Sequence, residues 1–308
     1  MPFIVAFGAG APPGATAQPR TDALQLALPV LGGDGFEALF PGATAVAPHG
    51  RWALAHAEDW LLGAARIEPE ADLAGATRRI YAELLELSRG RNLARIWNYL
   101  PRINAAGRDG LEHYRAFCRG RSLAFEAEFG AGFPGRLPAA SAVGTPGGPL
   151  AVIFAASGAP VEHRENPRQI PAYDYPPEHG PRSPSFARAT LVRRRRAADV
   201  FISGTSAIAG HATLAPGDTA AQLEATLENL RLISRACDLG DDLGAGVCAA
   251  RHFKVYLRHA GDFAPVARRL AGSLVGPGDR VAYLQADICR AALNIEIEAT
   301  LIGAGPRA

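Results

Sequence analysis

The stretch Ile295-Glu296-Ile297-Glu298-Ala299 holds the residues best suited to chemistry. As a strand it sends Ile295, Ile297 and Ala299 to one face and Asn294, Glu296 and Glu298 to the other. Carboxylates backed by aliphatics either face solvent on an edge strand or line a polar pocket. In a closed pocket, desolvation would raise the pKa of Glu296, as a general acid requires. Glu298, nearer the expected strand end, is the candidate for the solvated partner. Cys289 reads as part of a preceding strand over 280–290, alternating with Asp287, Gln285 and Tyr283. A lone Cys there is either a small core hydrophobe or a site residue. Gly204 ends an apolar strand, which marks either the close approach of a ligand or backbone, or a plain turn.

Arginines could add bidentate carboxylate binding. Arg258 closes the run Lys254-Val255-Tyr256-Leu257-Arg258, and Arg121, Arg182 and Arg188 sit near aromatics. Each has a surface ion pair as its alternative role. The eight histidines form no H-x-x-x-H or His/carboxylate ligand pattern. Residues 8–14 are too broken by proline for a dinucleotide loop, and neither a Walker motif nor G-x-S-x-G is present. No metal and no cofactor are therefore expected.

Composition narrows the class further. The 308 residues, 48% hydrophobic and 20% charged, suit one large or two ordinary globular domains. A net charge of +2 supplies no field for nucleic acid or a membrane surface. The run Arg193–Arg196, without a wider basic patch, reads as a solvated turn or strand edge. Four cysteines with no C-x-x-C pair read as reduced thiols of a cytoplasmic protein. The first residues lack the charge and apolar run of a signal peptide, and no apolar run reaches membrane-spanning length.

The elements that must position these residues follow from periodicity. Short strands are expected at 3–7, 23–30, 43–47, 52–57 and 60–65, then a helix over 73–88 capped by Asp72. A strand follows from Arg95, then a helix over 110–129. Residues 137–143 and 150–156 flank Gly144-Thr145-Pro146-Gly147-Gly148 and read as a hairpin. The polar, proline-rich segment 165–188, with interleaved tyrosines and arginines, reads as an ordered functional loop. Strands at 187–193 and 198–203, a helix from Asp218 to Leu239, a strand at 253–258, a helix at 262–274 and the two closing strands complete an α+β chain. No fixed-period repeat is visible.

Several motifs in order carry a family resemblance. Leu227-Glu228-Asn229-Leu230, Phe253-Lys254-Val255-Tyr256-Leu257-Arg258 with Asp262-Phe263, and Ile295-Glu296-Ile297-Glu298-Ala299 resemble the RidA (YjgF) family, whose closing-strand carboxylate matches Glu296. Arg280 is offset by one position from that family's partner arginine, which argues against simple imine deamination. From Arg95 onward the chain resembles the chorismatases, a RidA-related group that removes pyruvate from chorismate. Arg95-Ile96-Trp97-Asn98-Tyr99, Tyr114-Arg115-Ala116-Phe117-Cys118-Arg119-Gly120-Arg121, Asn166-Pro167-Arg168-Gln169, Phe201-Ile202-Ser203-Gly204-Thr205 and Asp287-Ile288-Cys289-Arg290 carry this likeness.

The resemblance implies RidA/YjgF-like (chorismate-mutase-like) mixed sheets with helices packed on one face, in two related halves. We expect domains at 1–148 and 149–308, the second carrying the catalytic glutamate. It also implies Glu296 as the acid and the 3-hydroxybenzoate-forming branch, marked by Gly at 204 and by Cys289 seven residues before Glu296; the hydrolase branch has Ala at both. Arg258, Arg188, Arg182 and Arg121, with Gln169, Tyr173 and Tyr114, are the expected substrate-binding residues. The partner is chorismate, with no metal or cofactor, in a monomer or homotrimer. The alternatives are a chorismate hydrolase and a non-catalytic RidA-like ligand-binding protein.

Overall fold

The computed structural model describes residues 4–8, 24–38, 40, 42–68 and 72–305. Most of the 8–14 stretch considered above as a dinucleotide loop lies outside them. Four short strands come first: β1 (Ile4–Phe7), β2 (Leu24–Leu26), β3 (Val30–Gly33) and β4 (Phe36–Ala38). A first half follows with β5 (Thr44–His49), β6 (Trp52–Ala57), β7 (Trp60–Ile67), α1 (Leu73–Leu87), β8 (Asn92–Pro101), α2 (His113–Phe129), β9 (Ala139–Thr145) and β10 (Leu150–Ser157). The second half contains β11 (Val161–Arg164), β12 (Ala189–Arg193), β13 (Ala198–Thr205), a small hairpin of β14 (Ile208–Ala209) and β15 (Ala212–Thr213), α3 (Thr219–Ala236), β16 (Ala250–Leu257), α4 (Phe263–Ala271), β17 (Arg280–Gln285) and β18 (Ile295–Ala304).

The halves share one topology. The first sheet runs β5-β6-β7-β10-β8-β9, and the second runs β11-β12-β13-β18-β16-β17, extended by β3. In each, a parallel pair is joined across a helix: β8 to β9 through α2, and β16 to β17 through α4. Parallel pairing demands such a crossover. The last strand of each half, β10 or β18, then inserts antiparallel into the middle of its sheet. This is the mixed-sheet α+β fold in two related halves.

Three expectations change. Residues 139–157 do not form a hairpin, because β8 lies between β9 and β10 and pairs with both. Likewise β16 separates β17 from β18, and β17 ends at Gln285, so Cys289 lies in the connection to β18 rather than on a strand. A domain division at 148/149 would cut β10 from the sheet in which it pairs with β7 and β8, whereas a division after Ser157 keeps that sheet whole.

Packing explains the layers. Asp72 and Asp218 cap their helices by accepting from the backbone N–H of Gly75 (2.8 Å) and Ala221 (2.9 Å). The helices α1 and α2 cover one face of the first sheet over Ile80, Leu84, Phe117 and Phe154. Their close approach needs Gly120, since a Cβ there would stand 2.2 Å from the carbonyl oxygen of Ala74. The helices α3 and α4 cover the second sheet over Leu230, Val266, Ile295 and Ile297. The opposite faces of the two sheets pack on each other through Trp60, Trp97, Tyr99, Phe201 and Tyr256.

Charges are buried in that middle layer. Lys254, the only lysine in the chain, donates to Glu37 (2.7 Å) and lies 2.8 Å from Glu298. From the first sheet, Arg95 reaches Glu298 at 2.8 Å and Ser141 at 2.9 Å, while the Trp97 indole N–H donates to Glu298 at 2.9 Å. Glu298 is thus not solvated. The strand β18 runs on to Ala304 between β13 and β16, so Glu298 is central in its sheet rather than terminal. Lys254→Met leaves two buried carboxylates with one cation between them. Urea denaturation should show a loss of about 3–5 kcal/mol; an unshifted midpoint would mean that the carboxylates find compensation elsewhere.

Candidate active site

A cavity of about 410 Å³ opens where the two halves meet. One wall comes from α2 and β9, with Tyr114, Arg121 and residues 140–142; the facing wall comes from β13 and β18, with Gly204, Ser206 and Glu296. The 165–188 segment is ordered and closes over it with Tyr175, Phe186 and Arg188. The connection after β17 contributes Cys289 and Arg290.

Glu296 stands on the inner face of β18, 4% exposed. Burial pushes its pKa up to about 8, with the Glu298 carboxylate adding to the effect; Arg95, the Ser206 hydroxyl and Arg188 pull the other way. Its Oε1 has no hydrogen-bond partner among the described residues. Burial acts on Glu298 in the same direction, but Lys254 and Arg95 outweigh it and hold Glu298 below the usual carboxylate range. Two carboxyls on one strand face thus take opposite protonation states, the pattern that separates an acid from a fixed charge.

Gly204 makes room for the acid. A Cβ at this position would lie 2.1 Å from Glu296 Oε1 and 2.6 Å from its Cδ. The glycine therefore serves close approach by a side-chain carboxyl of the protein itself, rather than the ligand or backbone approach or the plain turn considered from sequence. Cys289 also neighbours Glu296; burial, and then the charge of Glu296, push its thiol up to about 12, so it is neutral near pH 7. It lines the cavity, and a thiol held neutral in this way is a poor nucleophile.

The expected substrate-binding residues divide into two groups. Tyr114, Arg121 and Arg188 line the cavity. Arg121 is 1% exposed, stacks over Phe117 and Phe186, and has no hydrogen-bond partner for Nε or Nη2 among the described residues. Arg188 donates to the Tyr175 hydroxyl at 2.7 Å and stacks over Phe186, while its Nε is left without a hydrogen bond. Buried guanidinium groups with spare N–H donors are ready receptors for carboxylates.

The other four do not line this cavity. Arg258 pairs with Asp287 and donates to the carbonyls of Leu293 (2.8 Å), Arg290 (3.0 Å) and Ile288 (3.3 Å), so it braces the Cys289 loop. Arg182 pairs with Glu126 at 2.8 Å and lines a separate depression together with Tyr173. Gln169 donates to the carbonyl of Ile208 at 3.1 Å and holds β14 in place. Arg258, Arg182 and Gln169 looked available because sequence shows a side chain but not the carbonyl or carboxylate that occupies it.

Sequence reasoning missed Arg290, Tyr175, Phe186 and Ser206 as lining residues. Arg290 stacks over Tyr175 at 5.3 Å and donates to the carbonyl of His211 at 2.7 Å. The aromatic content of the 165–188 segment was the available signal. Glu178, His179 and His211, also at the cavity, have the donor types of a metal site. His179 Nε2 and His211 Nδ1 lie 3.0 Å apart, with the Glu178 carboxylate 3.4 Å from His211 and 3.6 Å from His179. Burial and the Arg290 charge hold His179 below the usual histidine range, which favours its neutral ring. These residues come from separate segments, so no ligand spacing was visible in sequence.

A duplicated mixed-sheet α+β fold with a buried glutamate at the junction of its halves defines the class. The N-terminal family model described as chorismatase FkbO/Hyg5-like matches residues 40–156. A 3-hydroxybenzoate synthase from Streptomyces hygroscopicus is 39% identical over 263 residues, covering 80% of this chain and 75% of that one. A chorismatase from Streptomyces rapamycinicus is 38% identical over 260 residues, covering 81% and 77%. A chorismatase crystal structure matches with a TM-score of 0.80 at 30% identity over 98% of both chains. This chain belongs to the chorismatase family.

The unpaired donors of Arg121 yield a two-sided prediction. Arg121→Met removes a buried cation that has no carboxylate in ion-pair contact among the described residues, so the urea midpoint should hold or rise. Affinity for an aromatic carboxylate, measured by calorimetry, should fall by roughly tenfold or more, the loss expected for a charge-assisted pair. A lower midpoint with unchanged affinity would assign Arg121 to the fold instead.

Proposed function

We propose that this cavity converts chorismate to 3-hydroxybenzoate and pyruvate, with Glu296 as the acid. The observation that carries the reading is the carboxyl of Glu296, dry and raised to about 8, seated against Gly204 and beside Cys289 in an arginine-lined cavity. Chorismate is a dicarboxylate bearing an enol ether. Arg121 and Arg188 offer free N–H groups for the two carboxylates, and Arg290 adds positive charge at the wall. Proton transfer from Glu296 to the enol methylene carbon leaves an oxocarbenium ion. The neighbouring ring hydroxyl attacks the ether-bearing ring carbon, the C–O bond breaks to release pyruvate, and the hydroxyl proton returns to the Glu296 carboxylate. The resulting arene oxide opens to the 3-hydroxy acid. No water is consumed, and no metal or redox group enters the step.

The hydrolase alternative needs a water at the oxocarbenium carbon. Gly204 and Cys289 favour the internal route: the glycine lets the carboxyl retract towards β13, and the neutral thiol fills the wall beside it. One chain supplies both walls of the cavity, so a monomer suffices and a homotrimer is not required for a complete site. Among the described residues no helix is long and apolar enough to cross a membrane. Four free thiols fit a reducing compartment, and we place the enzyme in the cytoplasm.

Incubation with chorismate, followed by chromatography and a pyruvate assay, should give pyruvate and 3-hydroxybenzoate in equal amounts. Pyruvate with a non-aromatic diene would keep Glu296 and overturn the branch; no pyruvate would favour a binding protein. Glu296→Gln should lower pyruvate release by roughly 10²–10⁴-fold with the fold intact. In the wild type the acid must be protonated, so kcat should hold at lower pH and fall as pH rises through about 8. A rate that increases across this range would assign Glu296 as a base.

Gly204→Ala and Cys289→Ala should act on product rather than on pyruvate release. The first moves the carboxyl that would clash with the new methyl group, and the second opens space beside it. Each should raise the diene fraction, with the double variant highest. A product ratio unchanged in all three would remove both residues from branch selection.

A further inference from the structure

Glu296 is not the only buried group in this layer with unspent hydrogen-bonding capacity. Arg95, 1% exposed, uses one nitrogen for both Glu298 and Ser141; its Nε and Nη1 have no hydrogen-bond partner among the described residues. Glu296 Oε1 is likewise unpartnered. A guanidinium with two spare donors and a carboxyl with a spare oxygen therefore share one water-poor layer. Left to themselves they would pair, and an ion-paired Glu296 has no proton to give.

We propose that Glu298 is a positioning residue for the acid: it takes up Arg95, together with Lys254, and so keeps that guanidinium from pairing with Glu296. The proposal rests on the reading of Glu296 as proton donor. Strand register supports it. Lys254 on β16 lies directly across from Glu298, whereas the residue across from Glu296 is Tyr256, a neutral phenol. Arg95 and Lys254 against Glu298 and Glu37 form a cluster with two charges of each sign. No cation in that cluster is left over for Glu296.

The remaining neighbours of Glu296 leave the balance with this cluster. They are Ser206 after β13, Cys289 in the loop before β18, and Arg188 before β12, which is engaged by the Tyr175 hydroxyl and lies 4.0 Å from Glu165. Neutralising Glu298 would leave one net positive charge beside Glu296. The carboxyl of Glu296 would then ionise to replace the missing partner. Glu298 thus acts on Glu296 through Arg95 as well as by its own charge, and it is not among the residues that line the cavity.

The test uses Glu298→Gln, Arg95→Met and the double variant. In each, the high-pH limb of kcat is measured, and the Glu296 carboxyl is titrated by infrared difference spectroscopy without substrate, with Glu296→Gln as the blank. Glu298→Gln should move both readouts to lower pH by about one unit or more, as for a carboxyl gaining an adjacent cation. Arg95→Met alone should move them to higher pH, and the double variant should bring them back close to wild type. If Glu298→Gln does not fold, the upward shift in Arg95→Met still tests the proposal. A merely structural role would lower kcat while leaving both titrations in place, and that result overturns it. The substrate-free titration stands even if chorismate is not turned over, so failure of the proposal and failure of the functional reading are separately visible.

Discussion

Glu298 stays ionised inside the protein because Arg95 reaches it from one sheet and Lys254 from the other, and this shared carboxylate ties the two halves together. Taking these charges out of water is costly unless every partner is in place. The cost is met only when β8 and β18 face each other in one register. The same contact takes up Arg95, whose charge also bears on Glu296. A stability requirement in the middle layer and a chemical requirement at the cavity are therefore one arrangement.

The duplicated topology explains where the cavity lies. Each half covers one face of its sheet with helices and has one face left to bury. Packing these two faces together builds the core, and the layer opens where α2, β9, β13 and β18 come together around Glu296. The backbone N–H of Ala140 donates to the Ser203 hydroxyl at 2.8 Å, which in turn donates to the carbonyl of Ala187 at 2.6 Å. These bonds lock the seam between the halves beside Gly204. A site at such a seam can draw arginines from both halves without a second chain.

The segment before β12 shows how a long polar loop becomes structure. Asn166 donates to the carbonyl of Asn229 at 2.9 Å, and Asn229 donates to Ser206 and Ile208, each at 2.9 Å. Tyr175 is held between Arg188 and Arg290. The loop is fixed at its start by the buried amide of Asn166, and its aromatic middle lines the cavity beside Glu296.

Much of this was legible from sequence, for local reasons. Alternation in 294–299 determined which side chains of β18 share a face, because a strand has period two wherever it packs. Asp72 and Asp218 marked helix starts because a cap is made within four residues. The roles of Glu296, Gly204 and Cys289 came from resemblance, which carries positions but not distances. The tertiary structure alone decided the rest. Strand order was invisible: β8 divides an apparent hairpin at 139–157, since a crossover helix returns the chain on the far side of its own strand. The fates of Glu298, Arg258 and Gln169 were invisible for the same reason, their partners being Arg95, Asp287 and Ile208. Whether a polar side chain is free to act depends on what the fold brings opposite it, and that is a property of packing between distant segments.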